Sequence, residues 1–375
     1  MRCSKLARVF PLLISLALLA IGLGETARAA DSSGAVYTMT NAGEANAVIA
    51  YARAADGTLT PNGIYLTGGK GTGMPRLGSQ GSVVLSEDHR WLLVTNPGSD
   101  DLSVFAVASD GTLTRTDLEP SNGDRPESVT IHGRLVYVLN TGAPNNISGF
   151  TLDAHGQLTP LHGARRRLSQ PDALPAQVQF SPDGNTLVVT ERNTGLIDTF
   201  RISHAGLPSG VMPHPGSGIG PFGFAFRSDG VFVVTESFDG APALAAASSY
   251  SLAGPHRFQW ISATVPDTQT DVCWAVITKD EHYAYVTNNG SGTISSYSIS
   301  HDGSITLLNQ VAAVTGTSGG FGTRDAAIDA SGTFLYAIDV GTLTMNVLRV
   351  HADGSLTSVA VYGGLPTTVA GTAAF

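Results

Sequence analysis

Two glutamates are the residues of this chain whose types and positions best fit acid–base chemistry. Seven predicted strands of similar sequence end on a polar residue, and these residues are Asn41, Asn96, Asn140, Glu191, Glu236, Asn288 and Asp339. Asn and Asp are common there because they cap turns, whereas Glu is not a turn former. Glu191 and Glu236 are therefore the candidate general bases, since two facing carboxylates repel and one pKa rises. An ordinary surface salt bridge is the alternative interpretation.

A second set of residues lies at the start of the strand that precedes each polar end, and it comprises Glu127, Phe222, Trp274, Arg324 and Asp325. An arginine among carboxylates can hold an anionic substrate or stabilise an oxyanion. Arg324 is therefore predicted to be catalytic together with the two glutamates, with a structural ion pair as the alternative. The other four residues are predicted to bind substrate.

Three of the polar strand ends and one histidine complete the predicted binding site: Asn140, Asn288, Asp339 and His214. His214 is expected in a loop that leads into an inner strand and reaches the site. No histidine pair has the spacing of a zinc site, and no serine stands in a G-x-S-x-G motif. The sequence predicts neither a metal site nor a cofactor, and it leaves a divalent cation requirement open.

A recurring five-residue tag indicates which elements position these residues. It reads Asp-Gly-Thr-Leu-Thr at residues 56–60 and 110–114, and related tags bring the glycines to Gly57, Gly111, Gly156, Gly206, Gly303 and Gly354. Ala253-Gly254-Pro255 replaces the tag that is missing from this series. The chain therefore contains seven units of about 50 residues, a period typical of propellers.

Each unit reads as four short strands joined by turns. One unit has strands at Gln177–Phe180, Thr186–Thr190 and Leu196–Ile202, and its tag turns into a fourth strand. This pattern predicts an all-β fold, a seven-bladed β-propeller with four-stranded blades. The residues from Pro366 to the C-terminus look like an orphan inner strand, which we expect to close the first blade and remove an open edge. The starts of the inner strands and the ends of the second strands then meet at one channel mouth.

Residues 1–29 have the features of a secretory signal peptide, namely a basic start, the apolar run Val9–Leu23 and the cleavage site Ala27-Arg28-Ala29. The expected mature protein is a single domain of residues 30–375, periplasmic or secreted and without a membrane span. A retained anchor is the alternative. Only Cys273 remains after cleavage, so no intramolecular disulfide is expected.

The predicted mature chain is acidic. Loss of four basic residues and one acidic residue with the signal peptide leaves 17 Lys and Arg against 29 Asp and Glu, a net charge of −12. Such a surface disfavours nucleic acid as a partner. The expected partner is a small molecule at the channel mouth.

Two blade phrases and the repeated tags carry a family resemblance. Val178–Gly184 and Tyr285–Gly292 resemble the seven-bladed propeller lactonase family, which includes 6-phosphogluconolactonases and 3-carboxy-cis,cis-muconate cyclases. The resemblance covers the whole mature chain. The phrases are also similar to YVTN-repeat propellers of cell surfaces, which are mostly binding or structural proteins.

Some site residues of the lactonase family have counterparts in this chain and others do not. Glu236 matches a glutamate that ends a strand in the lactonase family, and Arg324 is in register with the family's arginine, although in a different blade. The family's inner strands open with Pro-Arg-His or Pro-His-x-His, whereas this chain has Pro221-Phe222-Gly223 and Pro175-Ala176-Gln177.

Two functions follow from these observations. The first is an exported hydrolase or isomerase, of carboxylic ester hydrolase or intramolecular lyase type, that acts on a lactone-type small molecule. Glu236 or Glu191 would be its general base, and Arg324 would hold a carboxylate or the oxyanion. The second is a non-catalytic propeller that binds a ligand or a protein at the same mouth. The missing histidines favour the second function and the paired glutamates favour the first.

Overall fold

The computed structural model describes residues 33–75, 77–252, 258–317 and 319–375, and the sheets in this part of the chain are antiparallel throughout. The predicted signal peptide and the Ala253-Gly254-Pro255 segment lie outside the described residues. In the described part of the chain, no helix has the length and apolarity needed to cross a bilayer.

Seven sheets form seven blades, numbered in chain order. Their strands are, in blade 1, β1 (Gly34–Met39), β2 (Ala47–Arg53) and β3 (Leu59–Leu66); in blade 2, β4 (Val83–Leu85), β5 (Trp91–Asn96), β6 (Asp101–Val107) and β7 (Leu113–Pro120); in blade 3, β8 (Pro126–His132), β9 (Leu135–Asn140), β10 (Asn146–Leu152), β11 (Leu158–Pro160) and β12 (Arg166–Arg167); in blade 4, β13 (Pro175–Phe180), β14 (Thr186–Glu191), β15 (Leu196–Arg201) and β16 (Met212–Pro215); in blade 5, β17 (Pro221–Phe226), β18 (Val231–Glu236), β19 (Ala246–Leu252) and β20 (Phe258–Pro266); in blade 6, β21 (Val272–Ile277), β22 (Tyr283–Asn288), β23 (Thr293–Ile299) and β24 (Ile305–Val314); and in blade 7, β25 (Thr323–Ile328), β26 (Phe334–Asp339), β27 (Thr344–Val350) and β28 (Leu356–Gly363), with β29 (Ala370–Ala374) returning to blade 1.

The inner strands of neighbouring blades contact one another around a closed ring. The second strands are almost wholly buried between blades, whereas the outer strands are partly or fully exposed beyond their first residue. The apolar core therefore lies between the blades, where the faces of adjacent sheets pack together. The prediction of an all-β, seven-bladed β-propeller is confirmed.

The C-terminal strand closes the first blade. β29 pairs antiparallel with β1, so that Val36 lies opposite Ala374 and Thr38 opposite Thr372. β29 also contacts the inner strands of the two adjacent blades, β25 and β4. The expectation that the C-terminus supplies the inner strand of blade 1 is confirmed.

The tags form the turns that lead toward the fourth strands. The six tag glycines all have positive φ, between 76° and 89°, a backbone region that favours glycine. Four tyrosines donate their hydroxyls to tag glycine carbonyls of the following blade: Tyr37 to Gly111, Tyr137 to Gly206, Tyr285 to Gly354 and Tyr336 to Gly57. The tag is thus both a turn and a contact between blades.

Blades 3, 4 and 5 depart from the regular pattern. The fourth strand of blade 3 is divided into β11 and β12, which both pair with β10. The fourth strand of blade 4 begins only at Met212, several residues after the tag. Blade 5 carries a 3-10 turn at Phe238–Gly240 between its second and third strands.

Candidate functional site

The two predicted sets of site residues lie at the same end of the ring. Pro175 at the start of β13 pairs with Glu191 at the end of β14, and Pro221 at the start of β17 pairs with Glu236 at the end of β18. We call this end of the central channel the mouth. The predicted placement of inner-strand starts beside second-strand ends is confirmed.

β-Bulges contain four of the predicted mouth residues, namely Glu127, Phe222, Arg324 and Asp325, and Trp274 lies directly after another bulge. Directly after the first residue of five inner strands, the register shifts and leaves extra residues unpaired, among them Glu127, Ala176, Phe222, Cys273 and Arg324. A bulge redirects side chains out of the regular pleat, and bulges are common beside active sites. This irregularity recurs at the mouth end of five of the seven inner strands.

Two guanidinium groups and three aromatic rings form a continuous series across blades 4 to 7, which we call the ladder (Arg192, Phe222, Trp274, Arg324 and Phe321). The guanidinium carbon of Arg192 lies 4.6 Å from the centre of the Phe222 ring, and the Phe222 and Trp274 ring centres are 5.4 Å apart. The Arg324 guanidinium lies 5.8 Å from Trp274 and 5.9 Å from Phe321. Arginine over aromatic faces is favourable, and the ladder reaches solvent at its two ends, Arg192 and Phe321, whereas Phe222, Trp274 and Arg324 are buried.

Arg324 is almost fully buried at the base of the ladder. Its Nε donates to Asn289 Oδ1 at 3.1 Å, and its Nη1 donates to the carbonyl of Leu77 at 3.4 Å. These contacts hold the guanidinium plane beside Trp274. The predicted grouping of Arg324 with Trp274 and Phe222 at the mouth agrees with this geometry.

Arg192 is a site residue that the sequence does not reveal. It follows Glu191 in the turn after β14, and its Nε donates to the carbonyl of Leu174 at 3.3 Å. Burial lowers the pKa of Arg192, and the charges of Glu127 and Asp271 act in the opposite direction. The only sequence signal is its position directly after a polar strand end, which many turn residues share.

Glu127 places a carboxylate near Arg192. Its Oε1 accepts from Arg125 Nε at 2.5 Å, and its Oε2 accepts from Ser79 Oγ at 3.1 Å. The Glu127 side chain is 4% exposed, whereas that of Arg125 is 49% exposed. The mouth therefore contains a fixed carboxylate whose arginine partner reaches solvent.

The segment Leu77–Gln80 crosses the channel below the ladder. The backbone N–H of Gln80 donates to Ala176 in blade 4, and its side-chain amide makes two hydrogen bonds, of 2.9 and 3.1 Å, with the backbone of Ala275 in blade 6. Beyond it the inner strands line a cavity of about 740 Å³ that includes Asp325. Burial raises the pKa of Asp325 to about 7, and its Oδ2 accepts from the Gly371 N–H at 2.9 Å. Asp325 thus faces the lower cavity and β29.

Glu191 is turned into its own blade. Its oxygens accept from Ser169 Oγ at 3.1 Å and Thr194 Oγ1 at 2.6 Å. The carboxyl group beside it is that of Asp198, whose pKa is raised to about 8 by burial, by its hydrogen bond to Glu191 and by the charge of Glu191. Burial and the neighbouring Glu191 carboxylate thus favour the protonated form of Asp198.

Glu236 lies beneath the loop that leads into β17 and is fully buried. Burial raises its pKa, and the hydroxyls of Ser248 and Thr264 and the Gly218 N–H oppose this shift only in part. Neither carboxylate oxygen has a partner of strict hydrogen-bond geometry in the described residues. The carboxyl neighbour of Glu191 is Asp198, so the expectation that Glu191 and Glu236 face each other is wrong. In blades 2 to 6 the last side chain of the second strand interacts with the third strand of the same blade.

The other three predicted strand-end residues also bond within their own surroundings. Asn140 donates to Ser148 Oγ at 2.8 Å and Asn288 to Ser295 Oγ at 2.8 Å, in both cases on the third strand of the same blade. Asp339 Oδ1 accepts from the N–H groups of Gly341 and Thr342 and caps a turn. The structure does not bring these three residues to the ladder.

His214 does not lie in a loop that reaches the mouth, so that expectation is wrong. It lies in the outer strand β16, opposite Ile197, and stacks on Phe258 with ring centres 4.3 Å apart. Its Nε2 is 3.0 Å from Thr199 Oγ1. Burial lowers the pKa of His214, which fits a neutral, packed ring.

The described residues contain no cluster of three or more His, Cys, Asp or Glu side chains that could hold a metal ion. Cys273 is buried next to the ladder, and burial raises its pKa. The available chemistry at the mouth is therefore that of guanidinium, carboxylate and aromatic groups.

A family model identifies the chain. The lactonase model, described as a 7-bladed β-propeller, matches residues 35–166 and 244–374. The chain belongs to the lactonase family of seven-bladed β-propellers. The two matched segments leave out residues 167–243, which carry Glu191, Arg192, Phe222 and Glu236.

Individual relatives of this lactonase-family chain are distant. A 6-phosphogluconolactonase of Photorhabdus laumondii is 26% identical over 167 residues, which is 41% of this chain and 48% of that protein, so the match spans about half of the relative's length. The structure of a candidate 6-phosphogluconolactonase of Bacteroides uniformis has a TM-score of 0.70 at 18% identity and covers 90% of this chain and 98% of its own. A periplasmic gluconolactonase of Pseudomonas aeruginosa has a TM-score of 0.67 at 16% identity, with the same coverage of 90% and 98%. At such identities the two structures support the fold alone.

Proposed function

We propose that this lactonase-family propeller hydrolyses a lactone-type small molecule at the mouth. The observation that carries the proposal is the ladder, in which Arg192 and Arg324 stand on either side of the Phe222–Trp274 pair, with Glu127 beside Arg192. Guanidinium groups stabilise the charge that develops on a carbonyl oxygen during acyl transfer. The aromatic pair is buried and packs between the two guanidinium groups, which fixes their positions.

The proposed reaction uses this chain's own side chains. Glu127 accepts a proton from the attacking water, whose oxygen bonds to the lactone carbonyl carbon. Arg192 and Arg324 stabilise the resulting oxyanion. The ring C–O bond of the tetrahedral intermediate then breaks, and the proton passes from Glu127 to the leaving alkoxide oxygen. The product is an open-chain hydroxy acid.

We assign the base to Glu127, and not to Glu191 or Glu236, because those two carboxyl groups are directed into their blades. Glu191 is instead a positioning residue, since its hydrogen bond from Thr194 fixes the turn that carries Arg192. Glu236 could act as the base only if the loop above it opened. Because Glu236 matches the family glutamate, it is the residue against which the assignment of Glu127 is tested.

Hydrolysis of a panel of γ- and δ-lactones, followed by acid release at constant pH, tests the proposal. We expect turnover of at least one lactone and a loss of kcat by roughly 10²- to 10⁴-fold in Glu127→Gln. Glu236→Gln, a matched removal of one ionisable group, is expected to retain turnover. Loss of turnover in Glu236→Gln alone would move the base to that residue, and no turnover of any lactone by the wild type would refute the hydrolase.

We also propose that the protein is exported after removal of residues 1–29. The basic start, the apolar run and the Ala27-Arg28-Ala29 site support this proposal. N-terminal sequencing of the protein from the cell envelope or medium should read Ala30-Asp31-Ser32. A protein that retains Met1 in those fractions would contradict cleavage.

A further inference from the structure

Three large apolar side chains are exposed just before inner strands at the mouth. Leu174 directly precedes β13, and Ile219 and Phe321 stand two residues before β17 and β25. They are 54%, 55% and 41% exposed, respectively. We call these three residues the apolar rim, and one of them, Phe321, also belongs to the ladder.

Leu174 holds an unfavourable backbone conformation. Its φ is +46°, and the equivalent residues before β8, β17 and β21 are Arg125, Gly220 and Asp271, also with positive φ. A left-handed conformation is uncommon for a bulky residue and costs free energy that glycine avoids. Because the Leu174 side chain is half exposed, its own burial cannot offset that cost. A leucine at this position is therefore better explained by contact with a ligand than by folding.

Two of the three rim residues contact the arginines of the ladder, Leu174 through its backbone and Phe321 through its ring. The Leu174 carbonyl accepts from Arg192 Nε, and the Phe321 ring faces the Arg324 guanidinium. Leu174 and Ile219 fall within residues 167–243, outside the two segments that match the lactonase model. Two of the three rim residues, together with Arg192, thus lie in the part of the chain that the family model does not match, whereas Phe321 and Arg324 lie in a matched segment.

We infer that the lactone bound at the mouth carries an apolar aryl or alkyl substituent, which the apolar rim covers while Arg192 and Arg324 contact the ester or carboxylate. This inference rests on the proposed function and extends it to the class of substrate. A polyhydroxylated sugar lactone would place its hydroxyl groups against the three apolar side chains of the rim, which cannot form hydrogen bonds with them. An apolar substituent instead removes the exposed rim from water.

Binding of two hydrolysis products by calorimetry tests the inference without requiring turnover. The probes are 4-hydroxy-4-phenylbutanoate and gluconate, two hydroxy acids of the same charge at neutral pH. We expect the phenyl compound to bind the full chain at least about tenfold more tightly than gluconate. Equal affinity, or tighter binding of gluconate, would overturn the inference.

Leu174→Gly separates ligand contact from folding. Glycine keeps the carbonyl that holds Arg192 and relieves the strain, so we expect a higher melting temperature together with about fivefold or greater loss of affinity for the phenyl acid and unchanged affinity for gluconate. Ile64→Ala is the control, since Ile64 is 69% exposed on the outer strand β3, and it should change neither affinity. An equal change in both affinities in Leu174→Gly would overturn the role of the rim.

The outcomes distinguish this inference from the proposed function. Hydrolysis of lactones without preference for the phenyl acid would overturn the substrate class alone. Preferred binding of the phenyl acid without hydrolysis of any lactone would refute the hydrolase and support the ligand preference of the rim. Binding of the wild type to phosphatidylcholine vesicles that is lost in Leu174→Gly would assign the rim to a membrane surface and overturn the inference.

Discussion

At the scale of single residues, the buried pair of Glu191 and Asp198 has a consequence for stability. Burial and Glu191 raise the pKa of Asp198 to about 8, against about 4 in an unfolded chain. The folded protein therefore holds a proton that the unfolded chain releases. The stability contributed by this group is fully present below about pH 4 and is lost as the pH rises toward about 8.

Asp198→Asn tests this assignment, because an asparagine amide donates to Glu191 at every pH. We expect the melting temperature of the variant to rise relative to that of the wild type between pH 6 and pH 8. Thermal unfolding of both proteins at these two pH values measures the effect. Parallel melting temperatures across this range would show that Asp198 is already ionised in the folded protein.

Several mouth residues could be predicted from the sequence, because aligned repeats put Glu127, Phe222, Trp274 and Arg324 at equivalent strand starts. The directions of Glu191 and Glu236 could not be predicted in this way. Strand spacing gives the end of the ring at which a residue lies, but a side chain at a strand end can point to the channel or to the neighbouring strand. Arg192 could not be predicted as a site residue, because turn positions carry no periodic sequence signal.

At the scale of elements, the tag turns connect one blade to the next. Gly57 has φ of +89°, and a Cβ atom there would lie 2.4 Å from the Phe334 ring of blade 7. We expect Gly57→Ala to lower the free energy of unfolding by about 3 kcal/mol or more, from backbone strain and overpacking together.

Gly163→Ala is the matched control, with φ of +81° and no atom within 4 Å of the added carbon. It should show the strain alone, of about 1–2 kcal/mol. Chemical denaturation of both variants gives the two values. Equal losses in the two variants would mean that the contact between the tag and Phe334 contributes nothing.

The C-terminal strand is the element on which ring closure depends. Removal of residues 366–375 exposes the edges of β1 and the adjacent inner strands, and it takes the Gly371 N–H from Asp325. We expect aggregation or a fall in melting temperature on the order of 10 °C or more. A truncated protein that melts within about 2 °C of the parent would contradict this role.

The elements themselves were largely predictable, because a period of about 50 residues with four apolar stretches admits few folds. The unpaired stretch after Pro366 showed in advance where the ring closes. The divided fourth strand of blade 3 and the late fourth strand β16 were not predictable. Outer strands are half exposed and carry a weaker apolar alternation. For the same reason, the sequence predicted a loop at His214, which lies in the outer strand β16.

At the scale of the whole molecule, the ladder exists only when four blades are assembled. Arg192, Phe222, Trp274 and Arg324 come from blades 4, 5, 6 and 7, and no two of them share a sheet. Phe222 and Arg324 lie in bulges near the starts of inner strands, and Trp274 directly follows one. The segment Leu77–Gln80 crosses the channel below them. The proposed lactone site therefore cannot be formed by a single blade.

Lactone hydrolysis by Arg192→Gln tests this central claim most directly. Arg192 is partly exposed, so the change should leave the melting temperature within about 2 °C of the wild type. We predict that kcat/KM for the best lactone of the panel falls by about 10²- to 10³-fold, as expected when an oxyanion donor is removed. Arg167→Gln, at an exposed arginine of the outer strand β12, should leave kcat/KM unchanged. Full activity in a folded Arg192→Gln variant would contradict the assignment of the mouth as the reactive site.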